Sequence, residues 1–90
     1  MKMTLIKILS HCDLSDEIQC PKVLLPLDVV YDSPIDVMEL TQYLKSEKFK
    51  HDSMSLLLDY DETVYNGLSP YLVLNRDKDT INLTLKAECL

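Results

Sequence analysis

Two carboxylates two residues apart, Asp59 and Asp61, follow the apolar run Leu56-Leu57-Leu58 and lead into Glu62-Thr63-Val64. An acid pair at that spacing, at the end of a hydrophobic strand, can divide a phosphoryl transfer. One carboxylate attacks phosphorus, the other moves a proton, and a divalent cation neutralises the oxygens. Asp59, Asp61 and Glu62 are also hard oxygen ligands of the type Ca²⁺ or Mg²⁺ takes, although not at EF-hand spacing. What they can do depends on the element that carries them.

The pattern D-x-D-x-T-V resembles the first motif of the haloacid dehalogenase superfamily. That resemblance implies Asp59 as nucleophile, Asp61 as acid/base and a bound Mg²⁺. It covers nine residues, one motif of four, and Glu62 stands where the family usually has glycine. The remaining motifs would need a Thr/Ser, a Lys and a second acidic pair on a doubly wound parallel sheet. The stretch after Val64 offers Arg76, Lys78 and Lys86 but no room for βαβ crossovers. The expectation is therefore a protein that is not an enzyme, with no catalytic residues, no metal and no cofactor. A metal-dependent phosphoester-processing domain, or a small-ligand-binding domain, built on Asp59 and Asp61 is the alternative.

Other chemistry is less supported. His11, Cys12 and Cys20, joined by His51 or Cys89, could be assembled as zinc ligands, but no C-x₂₋₄-C pair is present. Three cysteines without C-x-x-C suit free thiols in a reducing, cytoplasmic setting, and Cys12–Cys20 is the disulfide an oxidising compartment would allow. One glycine, Gly67, rules out glycine-rich phosphate loops. The N-terminal apolar run is broken by Lys7 and is too short for a signal segment, and no stretch reads as a membrane span.

Ninety residues, 47% hydrophobic and 27% charged, fit one folded domain, 1–90. Fifteen acids against nine bases give a net charge of −6. That sign disfavours direct nucleic-acid binding and suits a basic protein partner.

The alternation of Thr4, Ile6 and Ile8 with Met3, Leu5 and Leu9 predicts a strand over 3–10, followed by a surface connection over 11–21. Val23, Leu25, Leu27, Val29 and Tyr31 predict a second strand over 22–31, with Pro26 at an edge or bulge. Ser33 as N-cap, Pro34 at N1 and Asp36 at N3, followed by Val37, Leu40, Thr41 and Leu44, predict a helix over 34–48. The even-numbered run Met54, Leu56, Leu58 and Tyr60, with Val64, reads as a strand. Placing Leu58 opposite Leu74 gives a hairpin turn at Tyr65-Asn66-Gly67. Leu74 opposite Ile81 gives a four-residue loop, 76–79, before a last strand.

The predicted fold is α+β, in the order β-β-α-β-β-β: a mainly antiparallel four- or five-stranded sheet with one helix on one face. Asp59, Asp61, Glu62, Asp77 and Asp79 would form an anionic row on its outer side, with Tyr65 and Tyr71 as exposed aromatic contacts. The function expected is a small acidic interaction protein that binds, or inhibits, another protein through its outer sheet face or an edge strand. A basic nucleic-acid-binding protein would suit the row, making this a phage- or mobile-element-type inhibitor with a nucleic-acid-mimicking surface. Homodimerisation is a further option. A membrane partner is not expected.

Overall fold

A computed structural model describes residues 2–15 and 18–89. The element order is β1 (Met3–Thr4), α1 (Leu5–His11), a 3₁₀ turn (Lys22–Leu24), β2 (Asp28–Tyr31), α2 (Val37–Lys45), α3 (Glu47–Tyr65), β3 (Ser69–Asp77) and β4 (Thr80–Glu88). The α+β class holds, but the sheet is mixed and, among the described residues, three α-helices rather than one accompany it. The four strands lie in sequence order. β1 is antiparallel to β2, β2 is parallel to β3, and β3 and β4 form an antiparallel hairpin.

Two predicted strands, 3–10 and 54–64, give way to helix for the same reason: burial at 3.6-residue spacing outweighs an alternation in the letters. Leu5, Ile8, Leu9 and Cys12 are buried, which is the i, i+3, i+4, i+7 set of a helix. Thr4 caps α1 by accepting from the Lys7 N–H, and the Leu5 and Ile6 amides donate to Leu27 and Leu25 carbonyls. The first turn's orphan donors are thus satisfied by the chain predicted to be strand 22–31, of which only 28–31 is extended.

The 54–64 strand is absent, since that segment lies inside α3. The buried positions there are Phe49, Ser53 and Leu56, with Tyr60 packed on the core behind them. Leu58, read as core, is 78% exposed. Gly67 does adopt the left-handed conformation (φ 74°), but as a helix terminator. Leu68 N–H reaches the Thr63 carbonyl and Gly67 N–H reaches that of Val64, the paired bonds of a Schellman cap. The proposed Tyr65-Asn66-Gly67 hairpin turn is therefore corrected to a helix C-terminus.

The predicted helix over 34–48 is shorter, and its cap is different. Asp36, not Ser33, is the N-cap of α2 and accepts from the Glu39 N–H at 2.8 Å. The Ser33 hydroxyl oxygen is enclosed without a partner among the described residues. Ser46 ends α2 and starts α3 at once, donating to the Tyr43 carbonyl and accepting from the Phe49 N–H. That shared cap splits the predicted helix at its C-terminal end.

The final hairpin is present with a register moved by two. Leu74 faces Leu83, and Asp77 pairs with Thr80, so the connection is the two residues Lys78-Asp79 rather than 76–79. A shift of two keeps every side chain on its predicted face. Val29, Leu72, Leu74, Ile81 and Leu83 bury against the helices. On the other face Val73 is 6% exposed, screened within the sheet's own surface, where Val30, Tyr71, Asn75 and Thr84 are half-buried.

Candidate functional site

The acids of the proposed site sit on α3 and on the hairpin, not on one strand. Asp59, Asp61, Glu62 and Tyr65 are all exposed in the last two turns of α3. Asp77 and Asp79 flank the hairpin tip, which lies at the opposite end of α3, where Lys48 bonds the Ile81 carbonyl. Fourteen residues of helix separate Lys48 from Glu62, about 21 Å at 1.5 Å per residue. The single anionic row is therefore two groups. Tyr71 is half-buried on the open sheet face, beside a hollow of about 390 Å³ that Lys2, Asp28, Val30, Pro70 and Glu88 also line.

At its start, α3 is tied down. Lys48 Nζ donates to the Ile81 carbonyl (2.8 Å), to Asn82 Oδ1 (2.7 Å) and to Asp52 Oδ2 (3.0 Å). The Tyr43 hydroxyl donates to the same Asp52 oxygen at 2.8 Å, and its ring packs edge-on against Phe49. Burial, and then the Asp52 carboxylate, hold the Tyr43 phenol far above its ordinary range, with the Leu83 backbone N–H opposing weakly. Arg76 pairs with Glu39 at 3.2 Å nearby, beside a hollow of about 330 Å³ that Asp79 borders. These contacts join α2, α3, β3 and β4.

The end of α3 has no such ties. No side-chain hydrogen bond or ion pair engages the carboxylates of Asp59, Asp61 or Glu62 among the described residues, and no basic residue occupies the last turn. Glu62, in the last turn, faces the negative end of the helix dipole, a destabilising placement of roughly 0.3–1 kcal/mol. Beside these acids runs an apolar row, two of whose members, Met54 and Leu58, the strand reading places in the core. Met54 (53% exposed), Leu58 (78%) and Tyr65 (90%) repeat with Asp61 at i, i+4, i+7, i+11. The sequence signal for it was there in a second helical stripe out of phase with Phe49, Ser53, Leu56 and Tyr60.

Helical geometry also separates the catalytic pair. Positions i and i+2 on a helix lie about 200° apart, so Asp59 and Asp61 project to opposite sides and do not converge on one phosphorus or one cation. No group of three or more His, Cys, Asp or Glu among the described residues is arranged to hold a metal ion. Cys12, Cys20 and Cys89 are free thiols, buried, half-buried and exposed in that order. Burial pushes the Cys20 thiol up to about 11, with the Ser53 hydroxyl offsetting part of the rise, so at neutral pH it is protonated and a poor nucleophile. No helix among the described residues is long and apolar enough to cross a membrane. Comparison of the chain with protein-family models, curated proteins and solved structures finds no match.

Proposed function

We propose that this protein is a small non-enzymatic binding module that docks on another protein through the outward side of α3. One observation carries the reading: Met54, Leu58 and Tyr65 form an exposed apolar row beside the unpaired acids Asp59, Asp61 and Glu62. An exposed leucine by itself means little. A helix with a second apolar stripe, next to unpaired acids of which Glu62 works against the helix dipole, is costly to keep for solubility alone.

The stripe has the anchor spacing by which amphipathic helices seat in grooves. The acids alongside it suit a groove rimmed by Lys and Arg, so a basic partner, including a nucleic-acid-binding protein inhibited by occlusion, fits this side. Apolar anchors with an acidic rim describe the surface better than a nucleic-acid mimic does, because Asp77 and Asp79 lie at the far end of the molecule. The divergence of Asp59 from Asp61 supports leaving phosphoester chemistry aside.

Affinity capture from the source cell with wild type, Leu58→Asp and Asp61→Lys/Glu62→Lys proteins tests this. A partner held by wild type should be lost with Leu58→Asp and weakened, in a salt-dependent way, by the double reversal. Capture unchanged in both variants removes α3's outer side from consideration.

A further inference from the structure

The outer edge of β4 is closed along one half and open along the other. The two-residue turn makes Asp77 and Thr80 a hydrogen-bonded pair, so the even-numbered residues of β4 bond to β3 and the odd-numbered ones point their N–H and C=O groups outward. The Lys48 ammonium on the Ile81 carbonyl agrees with that phase, as does the Tyr43 hydroxyl against the Leu83 backbone. No group among the described residues caps the outward N–H and C=O of Leu85 and Ala87. Native sheets usually cover or block such an edge.

A row of α3 residues overlooks it. Lys48, Asp52, Ser55, Asp59 and Glu62 follow one another at i+4, i+3, i+4, i+3, so they share one side of the helix. Lys48 defines that side as one that reaches the β4 edge, through its bond to the Ile81 carbonyl, and Asp52 beside it bonds the same ammonium. From the Lys48–Ile81 contact, Asp59 lies about 16 Å further along α3, which is about five residues along β4. That sets Asp59 level with Lys86, and Glu62 just beyond, over the open half of the edge. Lys86, whose position on β4 alternates away from the helix side, makes no ion pair with either of them among the described residues.

We infer that Leu85–Glu88 accepts an added antiparallel strand from another protein, one whose helix-side residues are Lys or Arg facing Asp59 and Glu62. A second copy of this chain fits less well. Pairing β4 with itself about a two-fold axis would bring Asp59 and Glu62 of both copies to the same side of the seam, in chains that each carry −6. A basic segment turns the same four groups, two main-chain pairs and two carboxylates, into a complementary seat. This inference rests on the protein being a binding module, but it uses residues other than the apolar stripe.

The test uses a capped heptapeptide alternating lysine and valine, with amide hydrogen exchange read by NMR. Leu85 and Ala87 amides should exchange freely in the protein alone and become protected on adding the peptide, while Thr84 and Lys86, already bonded to β3, change little. In an antiparallel pair the helix-side residues are also those whose N–H groups face β4, so N-methylation at the lysines should abolish the protection. Asp59→Lys/Glu62→Lys, and separately Ala87→Pro, should each weaken binding by about tenfold or more. Proline at Ala87 removes an outward N–H and is compatible with an edge strand. Leu58→Asp should leave peptide binding within about twofold.

No protection by the peptide, or protection that survives N-methylation, overturns the proposal. So does protection of Leu85 and Ala87 that grows with protein concentration in the absence of peptide, which would identify a second copy as the occupant. If Leu58→Asp abolishes capture of the host partner while the peptide protects nothing, the α3 reading stands and strand addition fails.

Discussion

The two halves of α3 are built from similar residues and treated in opposite ways. From Glu47 to Leu56 the helix is held by Phe49, Ser53 and Leu56 in the core and by Lys48 and Asp52 on the β4 edge. From Leu57 to Tyr65 its only close packing comes from half-buried side chains such as Tyr60, while its acids and outward apolar groups meet solvent. The same division runs along β4, capped at Ile81 and open at Leu85 and Ala87. Where polar groups are satisfied inside the molecule they hold it together. Where they are left unsatisfied on an ordered element they are available to something else.

The largest effect should separate the halves most clearly. Phe49→Ala, at a site 1% exposed and in edge contact with Tyr43, is expected to cost about 3–5 kcal/mol in denaturant unfolding. Leu58→Ala should stay within about 0.5 kcal/mol. A large loss at Leu58 would mean that its face is already covered in the free protein.

Gly67→Ala should cost about 1–2 kcal/mol, because a Cβ there meets open space and only the left-handed backbone (φ 74°) penalises it. The loss should be seen chiefly as fraying of α3's last turn. Lys48→Met keeps the aliphatic stem but removes the bonds to Ile81 and Asn82, and about 1 kcal/mol of stability should go with them, since the ammonium is partly solvated. It should also extend the open edge of β4 by one carbonyl, measurable as increased concentration-dependent association.

Alkaline titration should act through Cys20, which meets Ser53 in the tied half of α3. Cys20 has its folded value raised to about 11 from 9.0, so the unfolded chain releases this proton first. Its contribution to stability is complete below about 9 and is lost as pH climbs toward about 11. Cys20→Ala should flatten that decline in pH-dependent thermal melts. The smallest effect is of opposite sign. Glu62→Lys exchanges an acid for a base at the negative end of the α3 dipole and should stabilise the protein by about 0.3–1 kcal/mol, while weakening partner capture. A gain in stability with no loss of capture would leave the acid without a role.

Much of the architecture was legible where a local rule acts alone. The β3–β4 hairpin reads from its alternation, and its faces are right even though its register moved by two. The core of α2 reads from Leu40 and Leu44. Gly67 reads as a left-handed residue, but glycine after an apolar run signals a hairpin turn and a helix C-cap equally well. Met54, Leu56, Leu58 and Tyr60 alternate as a strand would, while Phe49, Ser53, Leu56 and Tyr60 repeat as a helix does, and both patterns share two residues. The site inherited that choice, since a strand points Asp59 and Asp61 the same way and a helix points them apart.

By itself the sequence determined the class of object: one small acidic α+β domain with a C-terminal hairpin and three carboxylates crowded near Tyr65. The tertiary structure decided which of two competing periods in 47–65 is buried, and with it which side chains remain outside. Burial is settled by what lies opposite. Phe49 and Leu56 have the inner face of β3 and β4 and the Lys22–Leu24 turn to pack against, and Leu58, on the far side of the same helix, has nothing. Periodicity offers the chain two faces, and only long-range packing chooses between them.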